Sequence, residues 1–203
     1  MSKITKLFDD DYEVIDENEE IPTDFFDVSV EHCIFIMVDI QEKFKDVIKD
    51  IDIVVKNANI LNKAAEILGI PLVITEQSPE KLGKTMDSVY IPKHAKFFSK
   101  TLFSAITDDV YDYIIDKNKY AIVIYGIEAH VCVLQTCLEI NQLDRLPAVV
   151  LDAIASRTEY NKQVAIMKLA HEGIETVTTE MLLFSLLKDA NHPKFKEISK
   201  LVK

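Results

Sequence analysis

Short apolar runs alternate with longer amphipathic stretches from residue 31 to the end of the chain. The run at 33–38, CIFIMV, is continuously apolar and rich in branched and aromatic residues, a pattern typical of a strand buried on both faces. Residues 51–68 instead place apolar side chains at helical spacing, and Gly69 follows as a helix stop. The same criteria predict further strands at 71–75, 95–98, 121–125, 148–151 and 175–178, and further helices at 108–117, 131–143, 160–172, 181–187 and 193–201.

This order of elements predicts an α/β fold. About six strands interleaved with helices fit a parallel sheet with helices on both faces, a Rossmann-like three-layer α/β/α domain. Residues 76–94, which contain Pro79, Gly83 and Pro92, interrupt the pattern and predict a long loop or short pieces of secondary structure. Ligands of such sheets bind beyond the carboxyl ends of the strands, so the residues after each strand are the candidates for chemistry.

The acidic charge is concentrated at the N-terminus. Of the 34 acids and 23 bases that give a formal net charge of −11, ten acids and two bases lie in residues 1–30. The other 173 residues hold the remaining 24 acids and 21 bases, a balance of −3. We therefore divide the chain into an acidic N-terminal extension, 1–30, and a single domain, 31–203, and expect no nucleic acid partner.

The sequence also predicts a protein that is neither membrane-bound nor secreted. No apolar run approaches the roughly 18 residues needed to span a bilayer, and the acidic N-terminus lacks the apolar core of a secretion signal. We expect a cytoplasmic location. The three cysteines, Cys33, Cys132 and Cys137, form no CxxC pair and no zinc-like cluster with the five histidines. Reduced thiols, no metal and no other cofactor are therefore predicted.

Three reactive side chains follow different strands of the predicted sheet. Asp39 comes directly after the first strand, Lys100 shortly after the third, and Cys132 ends the segment 126–132 that follows the fourth. Because parallel strands end at one edge of a sheet, this carboxylate, ammonium and thiol are expected to share that edge. Each also has a purely structural interpretation: a helix cap for Asp39, a surface charge for Lys100 and packing for Cys132.

Together, the three side chains have a chemical use. Attack on a carbonyl needs a thiolate, whereas a cysteine with the unperturbed pKa of about 8.5 is mostly protonated at neutral pH. We expect the first turn of a helix and the charge of Lys100 to favour the Cys132 thiolate. Asp39 would take the thiol proton, and backbone N–H groups of the turn would face a developing oxyanion. His130 does not face Cys132 at this spacing on a helix and is assigned no catalytic role.

The segment 126–136, GIEAHVCVLQT, resembles the nucleophile segment of isochorismatase-like cysteine hydrolases, and most of all that of the isochorismatase domain-containing proteins. Further pieces that match this family appear in the same order along the chain, at 38–44 (VDIQEKF), 75–79 (TEQSP), 82–83 (LG), 98–104 (FSKTLFS), 152–157 (DAIASR) and 189–195 (DANHPKF). The resemblance covers residues 31–203, and the combination of pieces is more specific than any one of them.

This resemblance implies an isochorismatase-like fold with strand order 3-2-1-4-5-6. It implies Cys132 as the nucleophile, Asp39 as the general base and Lys100 as the third member of a triad. It also implies a cis peptide bond between Ile127 and Glu128, an oxyanion hole formed by the N–H groups of Glu128 and Cys132, and assembly as a homo-oligomer, a dimer or a tetramer. We expect a small-molecule substrate to be contacted by Gln41, Phe44, Glu76, Gln77, Thr101 and Phe103.

The predicted activity is hydrolysis of a small amide, imide or ester through a thioester on Cys132. The first alternative is a non-catalytic scaffold or binding protein that retains the fold and recruits a partner through its acidic extension. The second is a nicotinamidase-type amidase. Nicotinamidases of this superfamily carry an Asp and His metal cluster after the second strand, where this chain has EQSP at 76–79 and no histidine between His32 and His94.

Overall fold

The structure, a computed structural model, describes residues 28–143 and 145–203. Its centre is a six-stranded parallel sheet with the strand order β3-β2-β1-β4-β5-β6. The strands are β1 (Cys33–Val38), β2 (Leu72–Gln77), β3 (Lys96–Lys100), β4 (Ala121–Ile127), β5 (Leu146–Ala155) and β6 (Glu175–Val177). The predicted α/β class and strand order are confirmed.

Helices cover both faces of this sheet. Within the described residues they are α1 (Ile51–Leu68), α2 (Pro79–Leu82), α3 (Asp108–Asp116), α4 (Leu134–Gln142), α5 (Glu159–His171), α6 (Thr179–Leu187) and α7 (Phe195–Ser199). A 3₁₀ turn at Glu42–Phe44 follows β1, and a π-helical turn at Ala129–Val133 leads into α4. The layers are therefore helix, sheet and helix, as the order of elements predicts.

The sheet divides the buried side chains into two cores. Along β1 the side chains alternate between them. Phe35 and Met37 lie in the core shared with α1 and α6, whereas Ile34 and Ile36 lie in the core shared with α3, α4 and α5. All of β1 is buried. Since neither face of this strand meets water, its sequence shows no alternation of apolar and polar residues.

Local sequence signals set the ends of several helices. Thr107, Thr158 and Thr178 precede α3, α5 and α6, and each side chain accepts a hydrogen bond from a backbone N–H in the first turn. The helix α1 ends at Gly69, whose φ of 71° is left-handed, a conformation that glycine adopts without steric cost. The threonine caps lie on the carboxyl side of the sheet, because these helices follow β3, β5 and β6.

The element boundaries differ from the predictions near the strand ends that matter for chemistry. β3 extends to Lys100 and β4 to Ile127, so residues predicted to follow these strands belong to them. The helix predicted at 131–143 begins as the π-helical turn at Ala129–Val133 and continues as α4. Periodicity does not encode these changes, because they depend on pairing with neighbouring strands and on the geometry of the turn.

The acidic N-terminal extension predicted at 1–30 falls mostly outside the described residues. Of its last three residues, Val28 is 1% exposed and belongs to the core on the α1 side. Val30 packs against the same core. Among the described residues, no helix combines the length and apolarity needed to cross a membrane.

Candidate active site

The candidate site lies where the strand order reverses. β1 and β4 are neighbours in the middle of the sheet, and the chain runs outward to β2 and β3 on one side and to β5 and β6 on the other. A crevice forms at such a switch point, beyond the carboxyl ends of the strands. Asp39 directly follows β1, and the turn that holds Cys132 follows β4. The topology therefore brings the predicted base next to the predicted nucleophile.

The two central strands approach each other closely at Gly126. This glycine has a φ of 124°, and a Cβ atom in its place would lie 2.1 Å from the backbone oxygen of Val38. Neither the backbone conformation nor the available space permits a side chain here. Gly126 thereby allows the strand that carries the nucleophile turn to lie against the strand that ends before Asp39.

A buried ion pair joins Asp39 and Lys100. Lys100 Nζ donates to Asp39 Oδ2 at 2.6 Å, and the lysine and aspartate side chains are 0% and 1% exposed. The other carboxylate oxygen, Oδ1, accepts a hydrogen bond of 2.8 Å from the Thr75 hydroxyl. Asp39 has a φ of 51°, a left-handed conformation that aspartate tolerates better than most residues. Side chains of β2 and β3 therefore hold both oxygens of the predicted base.

The ammonium group of Lys100 is fully occupied by protein acceptors. Besides Asp39, it donates to Gln77 Oε1 at 2.7 Å and to the backbone oxygens of Leu102 and Phe103, both at 3.2 Å. Three N–H bonds thus serve four acceptors, as expected for a charge that is stable in the interior only with such partners. Lys100 has no N–H left for a substrate. It acts as a fixed positive charge that orients Asp39 and the loop after β3.

Cys132 lies in the π-helical turn at Ala129–Val133 and is 8% exposed. Burial raises the pKa of its thiol from the ordinary 9.0 to about 12, and the charge of Asp39 and a hydrogen bond to that carboxylate add to the increase. Lys100 and a backbone hydrogen bond from Glu128 lower this pKa. Lys100 therefore favours the thiolate, as expected, but desolvation and Asp39 outweigh it, so the net effect is a raised pKa of the Cys132 thiol.

The turn before Cys132 is fixed by Glu128. The peptide bond between Ile127 and Glu128 is cis. The backbone oxygen of Glu128 accepts hydrogen bonds from the N–H groups of Val131 and Val133, which closes the turn. Its carboxylate is 7% exposed and accepts hydrogen bonds from Arg157, from the backbone N–H at 2.9 Å and from Nε at 3.2 Å. Both the backbone and the side chain of Glu128 therefore hold the turn in place.

A cavity of about 460 Å³ opens beside the carboxyl end of β3. Its lining includes Lys100 and Thr101 but neither Cys132 nor Asp39. Of the residues predicted to contact a substrate, Thr101 is the one in this lining. The walls come from α2, from β3 and the loop after it, and from the start of α3. The cavity thus adjoins the predicted triad on its lysine side.

Several other predicted substrate residues hold the loops around the site. Gln41 is fully buried, and its amide nitrogen donates to the backbone oxygens of Gln77 and Gly83 at 3.1 Å and 2.6 Å. Its Oε1 accepts the Gln77 N–H at 2.8 Å. Glu76 Oε1 accepts hydrogen bonds from the backbone N–H and the hydroxyl of Thr85. Gln41 therefore ties the segment after β1 to the end of β2 and the segment that follows it, and Glu76 ties β2 to that same following segment.

The remaining predicted substrate residues lie in different environments. Phe44 packs against the core on the α1 side, whereas Phe103 is 53% exposed on the loop after β3. Gln77 links the triad to that loop, because it accepts from Lys100 and donates to the backbone oxygen of Thr101 at 2.9 Å. The substrate contacts assigned to these residues stay predictions.

Polar residues without an assigned role in the sequence also surround the site. His130 Nδ1 lies 3.0 Å from the Ser156 hydroxyl, and His130 Nε2 lies 3.4 Å from Asn161 Nδ2. His130 thus joins the nucleophile turn to the segment between β5 and α5. The signal that could have found Thr75 and Ser156 is position, since one lies near the carboxyl end of β2 and the other directly follows β5.

The other two cysteines differ from Cys132 in their surroundings. All three are free and buried. Burial raises the pKa of Cys33 to about 12 and also raises that of Cys137, and Asp39 contributes to neither shift. Among residues 28–143 and 145–203, no group of three His, Cys, Asp or Glu side chains is placed to hold a metal ion.

The fold and the site together define a class of protein: three-layer α/β proteins with a cysteine turn and a buried Asp–Lys pair at the switch point of a parallel sheet. The isochorismatase domain matches residues 33–181 of this chain. The chain belongs to the isochorismatase family, as its motifs predict.

Relatives and solved structures agree with this assignment. Isochorismatase domain-containing protein 2 of Bos taurus is 36% identical, and the match covers 82% of this chain and 81% of that protein. Isochorismatase domain-containing protein 1 of Danio rerio is 34% identical over 84% of this chain, which spans 60% of that relative's length. The structure of the MAR1 ribonuclease from Caenorhabditis elegans is similar with a TM-score of 0.83 at 33% identity, and the match covers 86% of this chain and 91% of that chain.

Proposed function

We propose that this protein is a cysteine hydrolase that cleaves a small amide, imide or ester through a thioester on Cys132. The observation that carries the proposal is the buried Asp39–Lys100 ion pair beside the turn that holds Cys132, in which Lys100 and Thr75 hold the two carboxylate oxygens. Such a buried group of charges beside a nucleophile is typical of a catalytic site. Membership of the isochorismatase family supports the hydrolase class.

Acylation begins from the protonated thiol. Asp39 takes the Sγ proton as the sulfur attacks the substrate carbonyl, so a C–S bond forms while the carbonyl oxygen becomes an oxyanion. The backbone N–H groups of Glu128 and Cys132 donate hydrogen bonds to that oxyanion. The tetrahedral intermediate then expels the amine or alcohol, which receives the proton from Asp39. An acyl thioester on Cys132 remains.

Deacylation uses the same groups with water as the nucleophile. Asp39 takes a proton from the water molecule as its oxygen attacks the thioester carbonyl. The second tetrahedral intermediate releases the carboxylic acid, and the sulfur recovers its proton from Asp39. Lys100 stays charged throughout, 2.6 Å from the carboxylate, and keeps it in position.

The raised pKa of the Cys132 thiol suits this order of events. A thiolate becomes more nucleophilic as the pKa of its thiol rises. Because the resting thiol is protonated, the strong nucleophile forms only when Asp39 removes the proton during attack. The site therefore combines low reactivity at rest with a reactive sulfur once a carbonyl is in place.

The burial of the site restricts the substrate to small molecules. Cys132 is 8% exposed, so a folded polypeptide cannot present a peptide bond to its sulfur. The adjoining cavity of about 460 Å³ has the size of small-molecule pockets. These features support a small, non-peptide amide, imide or ester.

The alternatives account for fewer of these features. A scaffold protein would use the acidic extension but gives no role to the buried Asp39–Lys100 pair beside Cys132. A nicotinamidase-type amidase is disfavoured because Glu76, in the segment where that class carries metal ligands, is engaged by Thr85. The Caenorhabditis elegans structure is named a ribonuclease. For this chain we expect no nucleic acid substrate, since residues 31–203 have a balance of −3 and no excess of bases to bind a polyanion.

Acyl transfer to Cys132 tests the proposal. The full-length protein, incubated with p-nitrophenyl acetate, is expected to release p-nitrophenolate and to carry an acetyl group on Cys132, located by peptide mass spectrometry. Cys132→Ala is expected to lose both signals. Cys137→Ala is the matched control, because it removes a buried thiol that does not respond to Asp39. Undiminished turnover by Cys132→Ala, or wild-type protein without an adduct on Cys132, would contradict the mechanism and favour the scaffold.

The assembly and the location complete the proposal. We propose a homo-oligomer, a dimer or a tetramer, that acts on a small molecule without a cofactor. Size-exclusion chromatography with light scattering measures the assembly. The cytoplasmic location stays a prediction from the sequence, which fluorescence microscopy of the tagged full-length protein tests.

A further inference from the structure

The Glu128 carboxylate takes no part in the proposed acyl transfer, which uses only the backbone of this residue. It is nevertheless buried, at 7% exposure, although its partner Arg157 is 57% exposed. A carboxylate removed from water raises the free energy of the folded protein unless hydrogen bonds replace its hydration. The burial of this carboxylate is therefore explained by the groups that it binds.

The carboxylate joins two segments that leave the sheet side by side. Ile127 pairs with Ala155 across β4 and β5, so Glu128 and Ser156 both follow the last paired positions. Glu128 Oε2 accepts the backbone N–H of Arg157 at 2.9 Å. Arg157 Nε lies 3.1 Å from Oε1 and 3.2 Å from Oε2. We call this contact the Glu128–Arg157 clamp.

A second contact reinforces the clamp. His130, in the same turn, lies 3.0 Å from the Ser156 hydroxyl and 3.4 Å from the Asn161 amide. The Asn161 N–H in turn donates to Thr158, the residue that caps α5. The nucleophile turn is thus attached at two points to the start of a helix, a rigid support for a turn that must keep its N–H groups aligned.

We propose that Glu128 is a positioning residue, whose clamped carboxylate aims its own backbone N–H at the Cys132 sulfur and at the oxyanion that forms beside it. This role rests on the proposed function, because it concerns the same site. Glu128 directly precedes the turn that holds Cys132, and its backbone is among the causes that lower the pKa of the Cys132 thiol. Without the clamp the turn keeps the His130 contacts but loses the support at Glu128 itself, and a misaligned donor no longer stabilises either the sulfur or the oxyanion.

The charge of Glu128 and its positioning role predict opposite changes at the Cys132 thiol. If Glu128 acted only through its negative charge, removing the carboxylate would lower the thiol pKa and speed alkylation. If the clamp aims the backbone N–H, removing the carboxylate raises the thiol pKa and slows alkylation, because the donor that favours the thiolate moves away. The direction in which the alkylation rate of Cys132 changes therefore distinguishes a charge effect of Glu128 from a positioning role.

The experiment compares Glu128→Ala with Glu128→Gln, which loses the charge but keeps an oxygen that can accept the Arg157 N–H. Alkylation of Cys132 by iodoacetamide is followed against pH, and turnover of p-nitrophenyl acetate is measured in parallel. For Glu128→Ala we expect alkylation slower by about tenfold and kcat lower by about 10- to 100-fold, with KM changed by less than about threefold. For Glu128→Gln we expect both rates within about threefold of wild type. Glu172→Ala, which removes a carboxylate paired with Lys168 on α5, is the control and should match wild type.

Several outcomes would overturn the clamp. Wild-type or faster alkylation in Glu128→Ala shows that the carboxylate does not aim the donor, and equal losses in the Gln and Ala variants show that an oxygen accepting the Arg157 N–H does not hold the turn. If Glu128→Ala does not fold, as judged by circular dichroism, Arg157→Ala replaces it. That variant keeps the N–H contact of 2.9 Å, so a partial slowing supports the clamp and unchanged rates overturn it. Alkylation needs no turnover, so this result stands even if Cys132→Ala refutes the proposed function.

Discussion

Replacement of Asp39 by asparagine is expected to make the Cys132 thiol more acidic and to reduce the proposed hydrolase activity. Asp39→Asn keeps the size of the side chain and an oxygen that can accept the hydrogen bond from Thr75. The backbone also tolerates the change, because the φ of 51° at this position is one that asparagine adopts readily. The variant therefore removes the charge and basicity of the carboxylate without a steric conflict. It leaves Lys100 with Gln77 and two backbone oxygens as acceptors, so circular dichroism must show that it folds before the thiol is assayed.

The structure sets the size of the effect on the thiol. The pKa of Cys132 is raised from 9.0 to about 12, which is about three units or about 4 kcal/mol. Burial is the largest cause and remains in the variant, whereas the charge of Asp39 and its hydrogen bond are removed and Lys100 still lowers the pKa. We expect the thiol pKa of Asp39→Asn to fall by about one to two units. Below the pKa, each unit raises the thiolate fraction and the alkylation rate about tenfold.

The assay combines alkylation with turnover. Iodoacetamide labelling is followed by mass spectrometry from about pH 7 to about pH 11. Cys33 and Cys137 serve as internal controls, because Asp39 is not among the causes of their raised pKa. Turnover of p-nitrophenyl acetate is expected to fall by about 100-fold or more, the usual effect of losing a general base. A thiol pKa that does not fall, or turnover that rises together with the acidity of the thiol, would refute the reasoning.

Two further predictions concern the fold. Gly126→Ala is expected to destabilise the protein by about 4 kcal/mol or more in chemical denaturation, because its Cβ would lie 2.1 Å from the backbone oxygen of Val38. Gly69→Ala is the control, because a Cβ atom at this position would have no atom within 4 Å, and its free energy of unfolding should fall by about 1 kcal/mol. Equal losses of stability in the two variants would contradict the close approach of β1 and β4. Stability is also expected to fall above about pH 9, because Cys33 and Cys132 have raised pKa values of about 12 against an ordinary 9.0. The stabilisation from each protonated thiol is complete below pH 9 and is lost between about pH 9 and 12, at up to about 1.4 kcal/mol per pH unit. In urea titrations at several pH values, Cys33→Ala should reduce the fall of the unfolding free energy with pH. An unfolding free energy that does not depend on pH would contradict the burial of these thiols.

The sequence predicts the fold well wherever the signal is local. The bounds of β1 and α1 follow from a run buried on both faces and from Gly69 at the helix end. β5 is longer than predicted, at Leu146–Ala155, because it continues through Asp152. That carboxylate accepts hydrogen bonds from the N–H and the hydroxyl of Thr179 at the start of α6. A polar residue inside a strand looks like its end until the distant partner that satisfies it is known.

The protonation state of Cys132, in contrast, could not be predicted from the sequence. The motifs and the parallel sheet suffice to bring Asp39, Lys100 and Cys132 to one edge, but the helix dipole and a nearby lysine suggest a thiolate at rest. In the structure Lys100 lies 2.6 Å from Asp39, and this carboxylate compensates much of the effect of the lysine charge on the sulfur. Desolvation is therefore the largest influence on the pKa of the Cys132 thiol. Desolvation depends on packing from several distant segments, which no short motif encodes. In the proposed mechanism the proton therefore stays on the sulfur until attack, and Asp39 lowers the acidity of the thiol while it acts as the general base that the proposed activity needs.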